Sequence, residues 1–319
     1  MPSGTQEAGA GMRAGNETAQ ADPDVDGLYG PSSEAWRLSR EATMLLVGGP
    51  RSLLLQIAHP LVAEGVDQHS DFRADPWRRL SGTLRSYFTI VYGTRAAARA
   101  EIARLNRLHR RVSGPVRDPA AVVTTGAIAY SGRDPDLALW VHATLVDSTM
   151  VAYDALIEPL SRARREAFYA ETRPIAVAFG VPAERVPADL AAFETYVAAM
   201  LAPDGPVHPT PTARSLAVAV LHPPMGPLAA WLPGPFAGPL GVALGAVPGP
   251  LVDWTLWTAV AHLPDGLREE FGIPWGPGHD LVARWLGGGA RFWRRRLPGG
   301  FRQMPKALAA DRRIAAVRP

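Results

Sequence analysis

Eight histidines and no cysteine define the chemistry this chain has at its disposal. Without a thiol, disulfides, thiolate zinc sites, iron–sulfur clusters, a cysteine nucleophile and a thiolate-ligated haem are all excluded. His109 sits on the stripe Ile102, Leu105, Leu108, His109 and Val112. A buried imidazole on such a face can ligate a metal or a haem iron through its exposed nitrogen. The same pattern also fits a hydrogen-bonded core histidine. His142 is a polar insertion in the apolar run Leu139-Trp140-Val141-His142-Ala143-Thr144-Leu145-Val146. It can be a second ligand, a partner for a propionate, or a helix-to-helix hydrogen bond, and Asp147 and Ser148 follow closely enough to orient a polar neighbour. Arg79 and Thr83 are four residues apart and share one helix face. Directed into one pocket, they can polarise bound dioxygen or hold a carboxylate; otherwise they are a surface arginine and an ordinary helix threonine. His59, Glu64, Asp67 and His69 offer a non-haem metal set, but no His-x-x-x-His or Glu-x-x-His pair supports it.

Helices must position these residues. Ser32 or Ser33 can cap a first helix that Gly48-Gly49-Pro50 breaks. Residues 51–66 read as a buried helix that Pro60 kinks or restarts. Asp75-Pro76 opens the next, which runs to about Tyr92 with Gly93 as its stop, and 95–112 form another. The stretch 118–132 is loop-like, with Val122-Val123-Thr124-Thr125 as a short strand. Asp134-Pro135 opens the helix of His142, and 161–180 and 187–201 add two more. The expected class is all-α.

The organisation predicted is a disordered tail over 1–28, a helical domain over 29–201, a Pro/Gly-rich apolar helical part over 202–290 packed on it, and a basic tail over 291–319. Hydrophobic residues make up 47% of the 319 and charged residues 20%, a globular balance that supports a sizeable core. The net charge of +3 is unevenly placed: 283–319 hold nine arginines and Lys306 against Asp311. That end is either a solvated tail or a face for an anionic surface. Ser215–Val252 carries no charged residue, yet prolines cut it into runs far short of the ~20 residues a membrane span needs. Buried helical pieces are expected there, with an interfacial membrane patch as the alternative. No secretory signal is visible, so a cytoplasmic protein with a peripheral membrane contact as an option is expected. Nucleotide loops, a G-x-S-x-G elbow and nucleic-acid modules are missing, so nucleic acid is not an expected partner.

One resemblance joins these pieces. From about Gly30 to Leu201 the chain resembles the MpaB / rubber-oxygenase (latex-clearing protein) family, long catalogued as a domain of unknown function. The matching residues are Trp36-Arg37 with Glu41, Gly49-Pro50-Arg51-Ser52-Leu53-Leu54-Leu55-Gln56-Ile57-Ala58-His59-Pro60, Gly65-Val66, His69-Ser70-Asp71-Phe72, Arg79-Leu80 with Thr83, Tyr92-Gly93, Leu108-His109, Tyr130, and Leu139 through Ser148. The resemblance implies a globin-like helical bundle around a b-type haem. It implies dioxygen-dependent oxidation or cleavage of a C=C bond in a small apolar substrate of the isoprenoid kind. By position, His109 matches the iron ligand, His142 a second haem-pocket histidine and rival ligand, and Arg79 and Thr83 the distal pair. Glu64 is nearest to the proposed glutamate base. Rubber oxygenases carry a lysine just before the distal threonine; here that position is Gly82, and the chain's one lysine is Lys306. The chain therefore resembles the broader family more than its rubber-cleaving members. The alternative class is a haem-free helical protein that binds lipid or a membrane surface.

Overall fold

A computed structural model describes residues 24–70, 76–222 and 256–317. The fold is all-α, with a small two-stranded sheet. In order the helices are α1 (Glu34–Leu38), α2 (Met44–Ala58), α3 (Pro60–His69), α4 (Pro76–Tyr92), α5 (Arg95–His109), α6 (Pro119–Thr125), α7 (Pro135–Leu156), α8 (Arg162–Ala178), α9 (Leu190–Met200), α10 (Pro211–Leu221), α11 (Asp265–Glu270), α12 (Pro277–Arg294), α13 (Gly299–Arg302) and α14 (Pro305–Val317). Strands β1 (Ser113–Pro115) and β2 (Ala129–Ser131) pair antiparallel, with Gly114 opposite Tyr130.

Most helix starts follow from capping chemistry. Ser33, Thr94, Asp118, Asp134, Ser161, Asp189 and Thr210 each accept a backbone N–H of the first turn through the side chain. Pro119, Pro135 and Pro211 occupy first-turn positions, where a missing N–H costs nothing. Capping also overturns the strand expected at Val122–Thr125. Asp118 and Pro119 start a helix there, and Gly126 ends it in a left-handed conformation at φ 67°. Local caps at both ends outweigh the β-branched preference of four residues.

Gly48-Gly49-Pro50 does not break the first long helix either: α2 runs through it. The glycine serves the packing instead. A Cβ on Gly48 would lie 3.5 Å from both Ala152 Cβ and Ser148 O, so α2 and α7 cross here at close range. These two helices form the centre of the core. Val47, Leu54, Leu55 and Ala58 pack with Trp140, Ala143, Val146 and Met150 in one buried cluster. The Trp140 indole N–H donates to Leu55 O at 3.1 Å. Arg51, 5% exposed, donates to Asp147 (2.6 Å), Ser148 Oγ (2.8 Å) and His262 O (2.7 Å). Asp147 and Ser148 therefore do orient a polar neighbour, and that neighbour is Arg51.

The first and last described segments meet, where Arg313 donates to Val25 O at 3.0 Å. Asp24 accepts the Arg95 and Ala96 N–H groups at the start of α5, so the described part of the first 28 residues is tied down; residues 1–23 lie outside the described set. The basic end is folded, not a solvated tail. In α14, Ala307, Ala310 and Ile314 are buried against Trp36, Phe88 and Tyr92. Buried Glu41 accepts from Arg302 and pairs with Arg294 at 3.3 Å. Most of the uncharged Ser215–Val252 stretch, with Trp231 and Phe236, falls outside the described residues.

Candidate functional site

One stripe of polar residues runs along α4 and another along α7. On α4, Arg79, Thr83 and Tyr87 follow at intervals of four. On α7, His142, Leu145 and Thr149 lie along one side. The stripes meet at one point: the Tyr87 hydroxyl hydrogen-bonds Ser39 Oγ at 2.7 Å and also Thr149. Burial raises the Tyr87 phenol above its usual pKa, so it stays neutral. Tyr87 and Thr149 pin the stripes together.

Helices α4 and α5 form an antiparallel hairpin, braced where Arg104 donates to Ser86 Oγ at 3.1 Å. This brings the last turn of α5, with His109, to the first turns of α4, with Arg79. The His109 ring packs on Phe179 at 6.2 Å, and Asn106 donates to Ala178 O at 2.8 Å. The end of α8 in turn packs on the start of α7 through Ala176, Val181 and Leu139. So the start of α4, the end of α5 and the start of α7 converge on one end of the bundle.

The state of the side chains there is unusual. Among the described histidines, His59, His69, His208, His262 and His279 have ring hydrogen bonds, and His222 also has a partner. His109 and His142 have none; Nε2 of His142 is buried without a partner among the described residues. Burial alone holds the His142 imidazole at about 4. Burial, and then the nearby Arg79 charge, holds His109 below its ordinary value. Both rings are neutral near neutral pH, the form that ligates metals. Arg79 donates to Thr83 Oγ1 at 3.2 Å, and no carboxylate among the described residues pairs with it. Desolvation lowers its basicity, although solvent reaches the side chain. His142 likewise lies deep yet keeps some exposed surface, and Leu145 is 36% exposed. A Cβ on Gly82, one residue before Thr83, would meet no atom within 4 Å.

The residues present fit a planar iron-bearing group. Among the described residues they supply two neutral imidazoles without hydrogen-bond partners, an arginine without a carboxylate partner, and open space at Gly82. Among the described residues no group of three His, Asp or Glu could hold a bare metal ion. The set His59, Glu64, Asp67 and His69 is dispersed by its own bonds. His59 Nδ1 caps α3 by accepting Leu61 N–H at 3.3 Å, and burial holds its pKa near about 4. His69 Nε2 lies 3.1 Å from Ser113 O. Glu64, 2% exposed, accepts the N–H groups of Arg117 (3.1 Å) and Asp118 (2.9 Å) and the Gln68 amide (2.6 Å). Its carboxylate fastens the loop before α6 and is not brought to Arg79 and Thr83. Two surface clefts, one at Ser131–Pro135 with Arg185 and one between α8 and α9, contain none of these residues.

A family model described as the catalytic domain of the ER-bound oxygenase mpaB/B′ and rubber oxygenase matches residues 36–292. The chain belongs to this family. As a member of the mpaB/rubber oxygenase family it carries an oxygenase-type domain, which makes it an oxidoreductase enzyme. No curated protein and no solved structure matches it.

Arg79, Thr83, His109 and His142 stand out in the sequence; Tyr87, Ser39 and Thr149 do not. The 79–83–87 spacing was the available signal. It could not show which face of α4 turns towards α7.

Proposed function

We propose that this mpaB/rubber-oxygenase family member binds haem b and uses dioxygen to oxidise or cleave a C=C bond in a small apolar substrate of the isoprenoid kind. The observations that support the reading are His109 beside Arg79 and a buried His142, both rings neutral and without a hydrogen-bond partner among the described residues, in a chain of an oxygenase family. Bound haem iron would supply the oxygen chemistry, which no protein side chain provides.

The chain's own residues do the rest. His109 would hold the iron, with His142 as the rival. Burial and the Arg79 charge keep the His109 lone pair free of a proton. Arg79 offers N–H donors to a propionate or to negative charge building near the reacting centre, a stabilisation that grows in a dry site. Thr83 accepts from Arg79 and donates to Arg79 O at 3.1 Å, fixing the guanidinium's approach. Leu145 and Phe179 would give apolar walls, the surface from which an apolar ligand gains most affinity. The open space at Gly82, where rubber-cleaving relatives have a lysine, leaves Arg79 as the cation that would act at the site.

Haemin titration of the purified protein tests the reading. A Soret band near about 400 nm is expected, as is its loss or shift in His109→Ala with rescue by added imidazole. Loss in His142→Ala instead would move the ligand to α7. A protein that takes up no haemin overturns the proposal.

A further inference from the structure

The helix α12 is built inside out. Its inner side consists of small residues: Ala283 and Gly287 are buried and Ala290 packs on the core. Its large apolar residues point the other way. Leu281 is 62% exposed, Trp285 70% and Phe292 50%; they lie on one side of the helix, with Trp293 beside them at 59%.

This orientation is enforced. A Cβ on Gly287 would lie 3.0 Å from Ala155 O, so nothing larger fits against the end of α7. Arg291 donates to Ala155 O (3.1 Å) and Asp154 O (2.8 Å), the final-turn carbonyls of α7. Arg294 reaches buried Glu41. These contacts fix the rotation that leaves Trp285 and Phe292 outward. A soluble surface gains nothing from displaying two tryptophans, a phenylalanine and a leucine together.

The charges say what covers this face. Residues 281–297 contain five arginines and no acid. Two of the five clamp the helix inward; Arg284 and Arg295 flank the apolar side and are exposed. The Arg296 guanidinium stacks over the Phe292 ring, 3.5 Å from its centroid. Bulky apolar and aromatic side chains flanked by arginine suit a surface with a hydrocarbon interior and anionic headgroups. No helix among the described residues is long and apolar enough to cross a membrane, so α12 would lie in the interface plane.

We infer that α12 is a membrane-docking helix, which seats Leu281, Trp285 and Phe292 in an anionic lipid surface with Arg284, Arg295 and Arg296 at the headgroups. This assignment does not depend on haem. It differs from the patch anticipated in Ser215–Val252, which precedes α12 in the chain.

Co-sedimentation of the full chain with vesicles of phosphatidylcholine, alone or mixed with phosphatidylserine, tests it. Binding is expected to the mixed vesicles and to weaken as salt is raised. Trp285→Ser with Phe292→Ser should weaken it at least about tenfold. Arg284→Gln with Arg295→Gln should weaken it roughly fivefold per arginine. All four residues are exposed, and unchanged far-UV circular dichroism and melting confirm that the variants fold. In bound wild type, brominated lipid should quench tryptophan emission, and less so in Trp285→Phe. The inference is overturned if wild type stays in the supernatant, or if the aromatic variant sediments like wild type. It is equally overturned if the chain is a lipid-indifferent dimer that the aromatic variant dissociates, since a second copy would then cover the face.

Discussion

Replacing His142 by leucine should stabilise the haem-free protein while weakening haem uptake. Its Nε2 is buried without a partner among the described residues, and an unmatched buried polar atom costs about 1–3 kcal/mol. Leucine in the same space removes that cost, so His142→Leu should be more stable by about this amount near pH 7. A second contribution appears in acid. The folded ring is held at about 4, whereas the unfolded chain titrates at the ordinary 6.5. Above 6.5 both states are neutral and nothing is lost; as the pH falls from 6.5 towards 4, the unfolded state takes up a proton that the folded state refuses, and stability falls. At about pH 5 the loss is about 2 kcal/mol, from roughly 1.5 pH units at 1.36 kcal/mol each. His59 behaves alike and remains in both proteins, so the difference between them isolates His142. Urea titrations of haem-free protein near pH 7 and pH 5, followed by far-UV circular dichroism, read both contributions. The variant should be the more stable at both, with the larger gain in acid. A His142→Leu protein that is less stable near pH 7, with an unchanged pH slope, would show a ring engaged in structural bonds and refute the reasoning.

Other outcomes follow from the same geometry. Arg51→Met leaves Asp147, Ser148 Oγ and His262 O without their donor in the α2–α7 core, and should cost about 3–5 kcal/mol in a urea titration. Gly82→Ala, in a helix interior with open space at its Cβ, should stabilise the haem-free protein by about 0.5–1 kcal/mol; a destabilisation would mean the space is filled. Glu64→Ala removes the acceptor for two backbone N–H groups and should destabilise by about 2 kcal/mol, with faster hydrogen exchange at Arg117 and Asp118, while haemin uptake persists. Because the His109 pKa is lowered, haemin uptake should not begin to weaken until the pH falls below 6.5; weakening that starts at higher pH would count against His109 as the ligand.

The sequence alone determined the helical class and most helix starts, because caps and prolines act within a few residues of themselves. Asp134-Pro135 and Gly93 were read correctly for that reason. The same local rules, weighed wrongly, gave a strand at Val122–Thr125 and a break at Gly48-Pro50. In the first case caps at both ends outvoted propensity, and in the second the neighbouring helix α7 used the glycine for close approach. The sequence also singled out His109, His142, Arg79 and Thr83, by helical spacing and by family pattern. What it could not contain is which polar groups find partners. His109 and His142 lack ring hydrogen bonds among the described residues while the other described histidines have partners, Glu64 is consumed by backbone N–H groups, and the basic end folds onto Glu41. Those outcomes depend on residues tens or hundreds of positions apart, and only the packed helices bring them within bonding distance. The outward face of α12 is the same lesson: its periodicity is visible in the sequence, but only Gly287 seated on Ala155 shows which side faces in.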